Sequence, residues 1–191
     1  IIDLESQNNY DLPSEIKNSE IMCGMDDLNL IFLINKSGKK ISSWSPVSKK
    51  FQPNNLIFPE SADIVTAGTY LTYLYLIDSQ QSQIYRYPRA EGGFGNAIKW
   101  KKDETDISGT SGIALNENLF LADENQILKF FRGTKLDFTV EETATPIAPF
   151  KLWTKRDNEN LYVLDHDNAR IIKLDKDGKI ISQIGRASCR E

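Results

Sequence analysis

The chain has 191 residues, a formal net charge of −4 and 26% charged residues, a balance ordinary for a globular domain. No apolar stretch approaches the ~18 residues that cross a bilayer as a helix, so no membrane contact is expected of this segment. One histidine and two cysteines leave zinc ligand sets without their usual members and offer no disulfide framework.

In chain order, residues 1–12 read as the outer strand of a preceding unit, because Asn8-Asn9-Tyr10-Asp11-Leu12-Pro13 parallels Asn54-Asn55-Leu56-Ile57-Phe58-Pro59. Four apolar runs then recur, each closed by Asn or Asp: Leu30 to Asn35, Tyr73 to Asp78, Asn118 to Asp123 and Asn160 to Asp165. The closing anchors Asn35, Asp78, Asp123 and Asp165 repeat at 43, 45 and 42 residues. Short strands at such a period predict β-propeller blades. Ile41, Ile84 and Ile171 stand six residues beyond their anchors and Ile127 four beyond, so each anchor turn is expected to open a second strand of a hairpin. The first runs are almost continuously apolar, which suits strands buried on both faces.

Fainter strands complete each unit. Ile21 to Gly24, Ile64 to Gly68, Gly112 to Leu115 and Phe150 to Trp153 are expected as inner strands. Phe51 to Phe58, Phe94 to Trp100, Leu136 to Val140 and Lys179 to Ile184 are expected as outer ones. The fold class is therefore all-β, a partial β-propeller of about four blades of four antiparallel strands. The blades fall at approximately 19–58, 61–103, 108–142 and 147–185, and residues 1–185 form one incomplete domain. Pro13, Pro59, Pro146 and Pro149 fall between blades, where a residue without an N–H belongs. Asn35-Lys36-Ser37-Gly38-Lys39 also resembles Asp175-Lys176-Asp177-Gly178-Lys179, leaving open an offset of the first blade by one strand. Residues 186–191 read as the translation of a sequencing adapter and are set aside from fold reasoning.

The fourth unit resembles an NHL repeat: an apolar strand ending at Asp165, then Asn168, Arg170, an apolar pair and a hairpin at Gly178. The other three units match loosely. Asp78 and Asp123 keep the anchor without the Asn-x-Arg pair, and Asn35 replaces it. Propellers of the gluconolactonase-like type are similar. The resemblance implies a ring of about six blades, and for the gluconolactonase-like group a channel metal held by Glu, Asn and Asp from different inner strands. That set has no match on the inner strands here.

Catalytic constellations are scarce. His166 lies in a turn, and no sharp Gly-x-Ser-x-Gly turn accompanies it. Asp175-Lys176-Asp177-Gly178 fails as an EF-hand, since the first ligand would be Lys173 and the last Ile184. Asp177-Gly178 suits a turn needing positive φ. Gly92-Gly93-Phe94-Gly95 lacks the strand-to-helix setting of phosphate loops. The anchors are expected to accept hydrogen bonds from turn N–H groups. Basic residues recur on the second hairpin strand and in the turn after it, as Arg86, Lys129 and Lys173, then Arg89, Arg132 and Lys176. A basic binding face is the sharper reading of that pattern and solvated turns the plainer one. The expected function is a non-enzymatic binding or scaffold module that recognises a protein, peptide or polysaccharide through its faces and inter-blade loops. No catalytic residue, metal or cofactor is assigned. Nucleic acid is not expected as a partner, because acidic residues interrupt the basic clusters. The alternative is a metal-dependent gluconolactonase-like or lyase-like enzyme.

Overall fold

The computed structural model describes residues 17–185; the outer strand expected at 1–12 and the tail expected at 186–191 lie outside the described residues. β-Branched, aromatic and leucine side chains crowd the four apolar runs, and each run becomes the second strand of a four-stranded antiparallel sheet. The first sheet is β1 (Ile21–Met25), β2 (Leu30–Asn35), β3 (Lys40–Ser45) and β4 (Lys50–Gln52), with a single 3-10 turn, Asp26–Leu28, between β1 and β2. The second holds β5 (Ile64–Tyr70), β6 (Tyr73–Asp78) and β7 (Gln83–Tyr87). A small side hairpin, β8 (Arg89–Ala90) and β9 (Gly93–Phe94), precedes its outer strand β10 (Ile98–Lys99). The third is β11 (Thr110–Leu115), β12 (Leu119–Asp123), β13 (Gln126–Phe131) and β14 (Thr134–Leu136), and the fourth β15 (Pro149–Trp153), β16 (Leu161–Asp165), β17 (Arg170–Leu174) and β18 (Ile180–Gly185).

The inner strands β1, β5, β11 and β15 contact one another in series, so the sheets stand side by side as blades around a shared axis. The chain is a partial β-propeller. Because β1 pairs with β2 from Ile21↔Ile34 to Met25↔Leu30, the first blade carries its anchor on the second strand like the others, and the one-strand offset is excluded. Outer strands differ most from expectation. The stretch expected at 51–58 pairs only over Lys50–Gln52, because Pro53 brings no N–H to extend the ladder. Of 94–100, Ile98 and Lys99 pair with β7, and the Trp100 N–H adds one bond to the Ile84 carbonyl at 2.7 Å. In the third blade the outer strand comes early, at 134–136 and not at 136–140.

The blades stack through one repeated pattern. On the outgoing face of the first blade, Phe32, Ile34 and Ile41 pack on Leu74, Leu76, Tyr85 and Tyr87 of the second. On the second, Tyr75, Ile77 and Ile84 pack on Leu119, Leu121, Leu128 and Phe130 of the third. On the third, Phe120, Ala122 and Ile127 pack on Leu161, Val163, Ile172 and Leu174 of the fourth. Burying each such side chain is worth about 1.5–3 kcal/mol, so neighbouring blades supply most of one another's stability. Register fixes the equivalence: Ile34↔Ile41, Ile77↔Ile84, Ala122↔Ile127 and Leu164↔Ile171 are cross-strand pairs at one position of the repeat. In the fourth blade that position is open, with Leu164 38% and Ile171 44% exposed.

Candidate functional site

The two ends of the blades are built differently. At the end carrying the turns between second and third strands, three of the anchors accept from backbone N–H groups, and Asp123 accepts from side chains. Asn35 Oδ1 accepts from the Gly38 N–H at 2.6 Å. Asp78 Oδ1 accepts from the N–H groups of Gln81 (3.1 Å) and Asp63 (3.2 Å), the latter in the connection from the first blade. Asp123 accepts from the Thr110 hydroxyl and the Gln126 amide, both at 3.3 Å. Asp165 is the most fully engaged. Arg170 Nε donates to its Oδ2 at 2.7 Å, Asn168 Nδ2 lies 2.9 Å from both oxygens, and the Ala148 N–H donates at 3.3 Å. Arg170 also donates to the Thr145 carbonyl at 2.8 Å, tying the turn to the incoming connection. Gly178, at the opposite end, has φ +88°, and a Cβ there would lie 2.2 Å from the Thr139 carbonyl oxygen.

The residue facing each anchor explains why the turns diverge. Arg170 is paired in register with Asp165, and Gln83 with Asp78. Gln83 turns its Oε1 to the Lys101 N–H at 3.1 Å, so the fully buried Asp78 Oδ2 has no partner among the described residues. Burial pushes the Asp123 carboxyl above its ordinary range, against the opposing hydrogen bonds from Gln126 and Thr110. His166 is exposed in the fourth anchor turn, with Nδ1 3.1 Å from Asp167.

At the other end, where first strands turn into second and third into fourth, four concavities lined by the described residues open on one face. The largest, about 720 Å³, is the mouth of the central channel. All four inner strands reach it, through Cys23, Gly68, Ile113 and Leu152, and the rim includes Asp27, Tyr70, Trp153 and Arg156. Arg156 donates to Asp27 at 3.2 Å and so joins the fourth blade to the first across the mouth. Burial raises the Cys23 thiol to about 12, which leaves it protonated and inert near neutral pH. Among the described residues, no group of three or more His, Cys, Asp or Glu side chains is placed to hold a metal ion.

The other three concavities are clefts between successive blades: about 260 Å³ between first and second, 680 Å³ between second and third, and 480 Å³ between third and fourth. The recurrent basic residues are distributed among them. Arg89 lines the first cleft, Arg86 and Arg132 the second, and Lys129 and Lys176 the third. Lys173 lies over the Tyr162 ring, on the open face of the fourth blade. They do not form one continuous patch. Arg86, Lys129 and Lys173 each face an aromatic across the ladder (Tyr75, Phe120 and Tyr162), and their charges lie over rings at the blade margins. Sequence reasoning missed these clefts because their walls come from residues on neighbouring blades. The available signal was the coincidence of an aromatic in the first run with a cation in the second.

No protein-family model matches the chain, and no curated protein matches it. Solved structures with a similar fold include a streptogramin B lyase, at 16% identity over 95% of this chain and 59% of that one, TM-score 0.65. A chain of a nidogen/laminin complex matches at 14% identity over 92% and 66%, TM-score 0.63. The hydrazine synthase of Kuenenia stuttgartiensis matches at 13% over 93% and 52%, TM-score 0.59. The chain thus spans between half and two thirds of the lengths of these structures. At such identities the likeness shows the fold alone.

Proposed function

We propose that this chain belongs to a larger propeller that binds a protein, peptide or polysaccharide through the face holding the channel mouth and the inter-blade clefts. The observation that carries the reading is the asymmetry of the two ends. At one end the anchor side chains are engaged with their turns and with the connections arriving from the preceding blades. The other gathers four concavities with exposed side chains around them. Stacked blades supply rigidity, and the loops they display supply recognition. One structural neighbour was solved as a complex of nidogen with laminin, which supports protein binding as a use of this architecture. The exposed outgoing face of the fourth blade supports the larger ring, since its equivalents in the other three blades are each covered by a following blade. The Asp165–Asn168–Arg170 network supports reading that blade as NHL-type.

The test is selection of binders from peptide and glycan arrays, followed by charge-reversal or alanine variants of each face. Variants at Arg89 and Arg132 are expected to abolish capture, and variants at Lys39, Gln80 and His166 to leave it intact. Capture that maps to the anchor-turn face overturns the assignment.

A further inference from the structure

The three inter-blade clefts occupy equivalent places but differ in chemistry, and the second stands apart. Tyr70, Tyr73, Tyr75, Trp100 and Phe131 line it together with Arg86, Lys99, Lys102 and Arg132, against one acid, Glu117. Among the described residues none of these four cations forms an ion pair. The third cleft mixes Lys129, Arg156 and Lys176 with Glu117, Asp157, Glu159 and Asp175. The first cleft holds one cation, Arg89, and no acid, so the largest excess of positive charge lies in the second cleft, in a chain of net charge −4.

The rings are already engaged in a way that orients the cations. The Arg86 guanidinium lies 4.7 Å over the Tyr73 ring and that of Arg132 5.0 Å over Phe131. Tyr75 and Trp100 meet edge to face at 5.6 Å and 86°. A guanidinium lying over a ring can still present N–H groups to a carboxylate, whose geometry its fork matches, although Arg86 also hydrogen-bonds with the Tyr75 side chain. Arg86 Nε is buried without a hydrogen-bond partner among the described residues. The rim is fixed. The Lys102 N–H donates to the Gly133 carbonyl at 2.8 Å, and Gly133, at φ +90°, sits so close to Trp100 that a Cβ would lie 2.1 Å from its carbonyl oxygen. Leu71, Ile98 and Phe131 are 37%, 40% and 39% exposed beside the cations.

We propose that the cleft between the second and third blades docks an acidic peptide segment of a partner protein, whose carboxylates meet Arg86, Arg132, Lys99 and Lys102 and whose apolar side chains cover Leu71, Ile98 and Phe131. The proposal rests on the binding-module reading above and narrows it to one cleft and one ligand class. A stretch of Tyr, Trp and Arg beside exposed aliphatic groups has the composition of protein hot spots. Single-stranded nucleic acid wants open ring faces for its bases along a long basic track. Here Tyr73 and Phe131 already carry guanidinium groups, and the next cleft is rich in acids.

The test titrates the intact chain against a short fluorescein-labelled peptide of alternating Glu and Phe, read by anisotropy. Comparators are the same peptide with Lys for Glu, the same with Gly for Phe, a uronate oligosaccharide and an oligothymidine. The Glu/Phe peptide is expected to bind best and to weaken with salt. Lys99→Glu combined with Arg132→Glu is expected to weaken it at least about tenfold, while Lys39→Glu on the anchor-turn face leaves it unchanged. Circular dichroism melting checks that the variants fold, and Phe131→Ala serves should the double variant not do so. Equal losses from Lys39→Glu, unchanged binding by the double variant and by Phe131→Ala, or preference for the oligosaccharide or the oligothymidine overturn the cleft. So does no binding of the Glu/Phe peptide. The binding-module reading falls separately, if the array selection on the same protein recovers nothing or maps to the anchor-turn face.

Discussion

Asp165 and Asp123 hold the same position in the repeat, yet burial treats them differently. Asp165 is fully buried but paired with a guanidinium and an amide. Removing it by Asp165→Ala strands the largely buried Arg170 without its carboxylate and is expected to cost about 3 kcal/mol, read from chemical denaturation. Asp123 has only a hydroxyl and an amide for partners. Its folded carboxyl titrates above its unfolded value, so its charge costs stability at neutral pH, and the cost vanishes as pH falls through the folded pKa to below about 3.9. Asp123→Asn is therefore expected to be neutral or stabilising at pH 7 and to lose that advantage in acid. Melting both proteins across the acid range checks the sign. The four anchors were legible in the sequence from their spacing alone. Their differing energetics were not, because those depend on the residues paired across the ladder and on the connection arriving from the preceding blade.

The inner strands show how element packing turns one residue type into three different constraints. A Cβ on Gly24 would meet nothing within 4 Å, while one on Gly68 would come within 2.5 Å of a Leu115 methyl. On Gly112 it would lie 2.8 Å from the Phe150 carbonyl oxygen and 3.1 Å from the Lys151 Cα. Backbone cannot step aside as a leucine tip can. Gly112→Ala is expected to destabilise by about 1–3 kcal/mol, Gly68→Ala by less, and Gly24→Ala not at all, in the same thermal melts. The second and third strands were readable because continuous apolar runs between turn residues have few other fates. The outer strands were not. They pair on one side only, so a proline at 53 or a bend at Gly92-Gly93 redirects them at little cost.

For the molecule as a whole, the decisive surface is the outgoing face of the fourth blade. Trp153, Leu164, Ile171 and Ile184 are 53%, 38%, 44% and 74% exposed there. The ring pair Trp153–Tyr162, with centroids 5.4 Å apart, adds to the patch. A contiguous apolar surface of this kind drives association in water. The isolated chain is expected to self-associate, and Leu164→Glu with Ile171→Lys to yield a monodisperse species. Sedimentation velocity distinguishes them, and a monodisperse wild-type chain contradicts the prediction. The sequence by itself determined the all-β class, the blade period and the anchor positions, because short apolar runs and turn chemistry are local properties of the chain. Which concavities open, on which face, and with what charge was decided only by the tertiary structure. Each cleft is assembled from residues on two neighbouring blades, and only stacking brings those together.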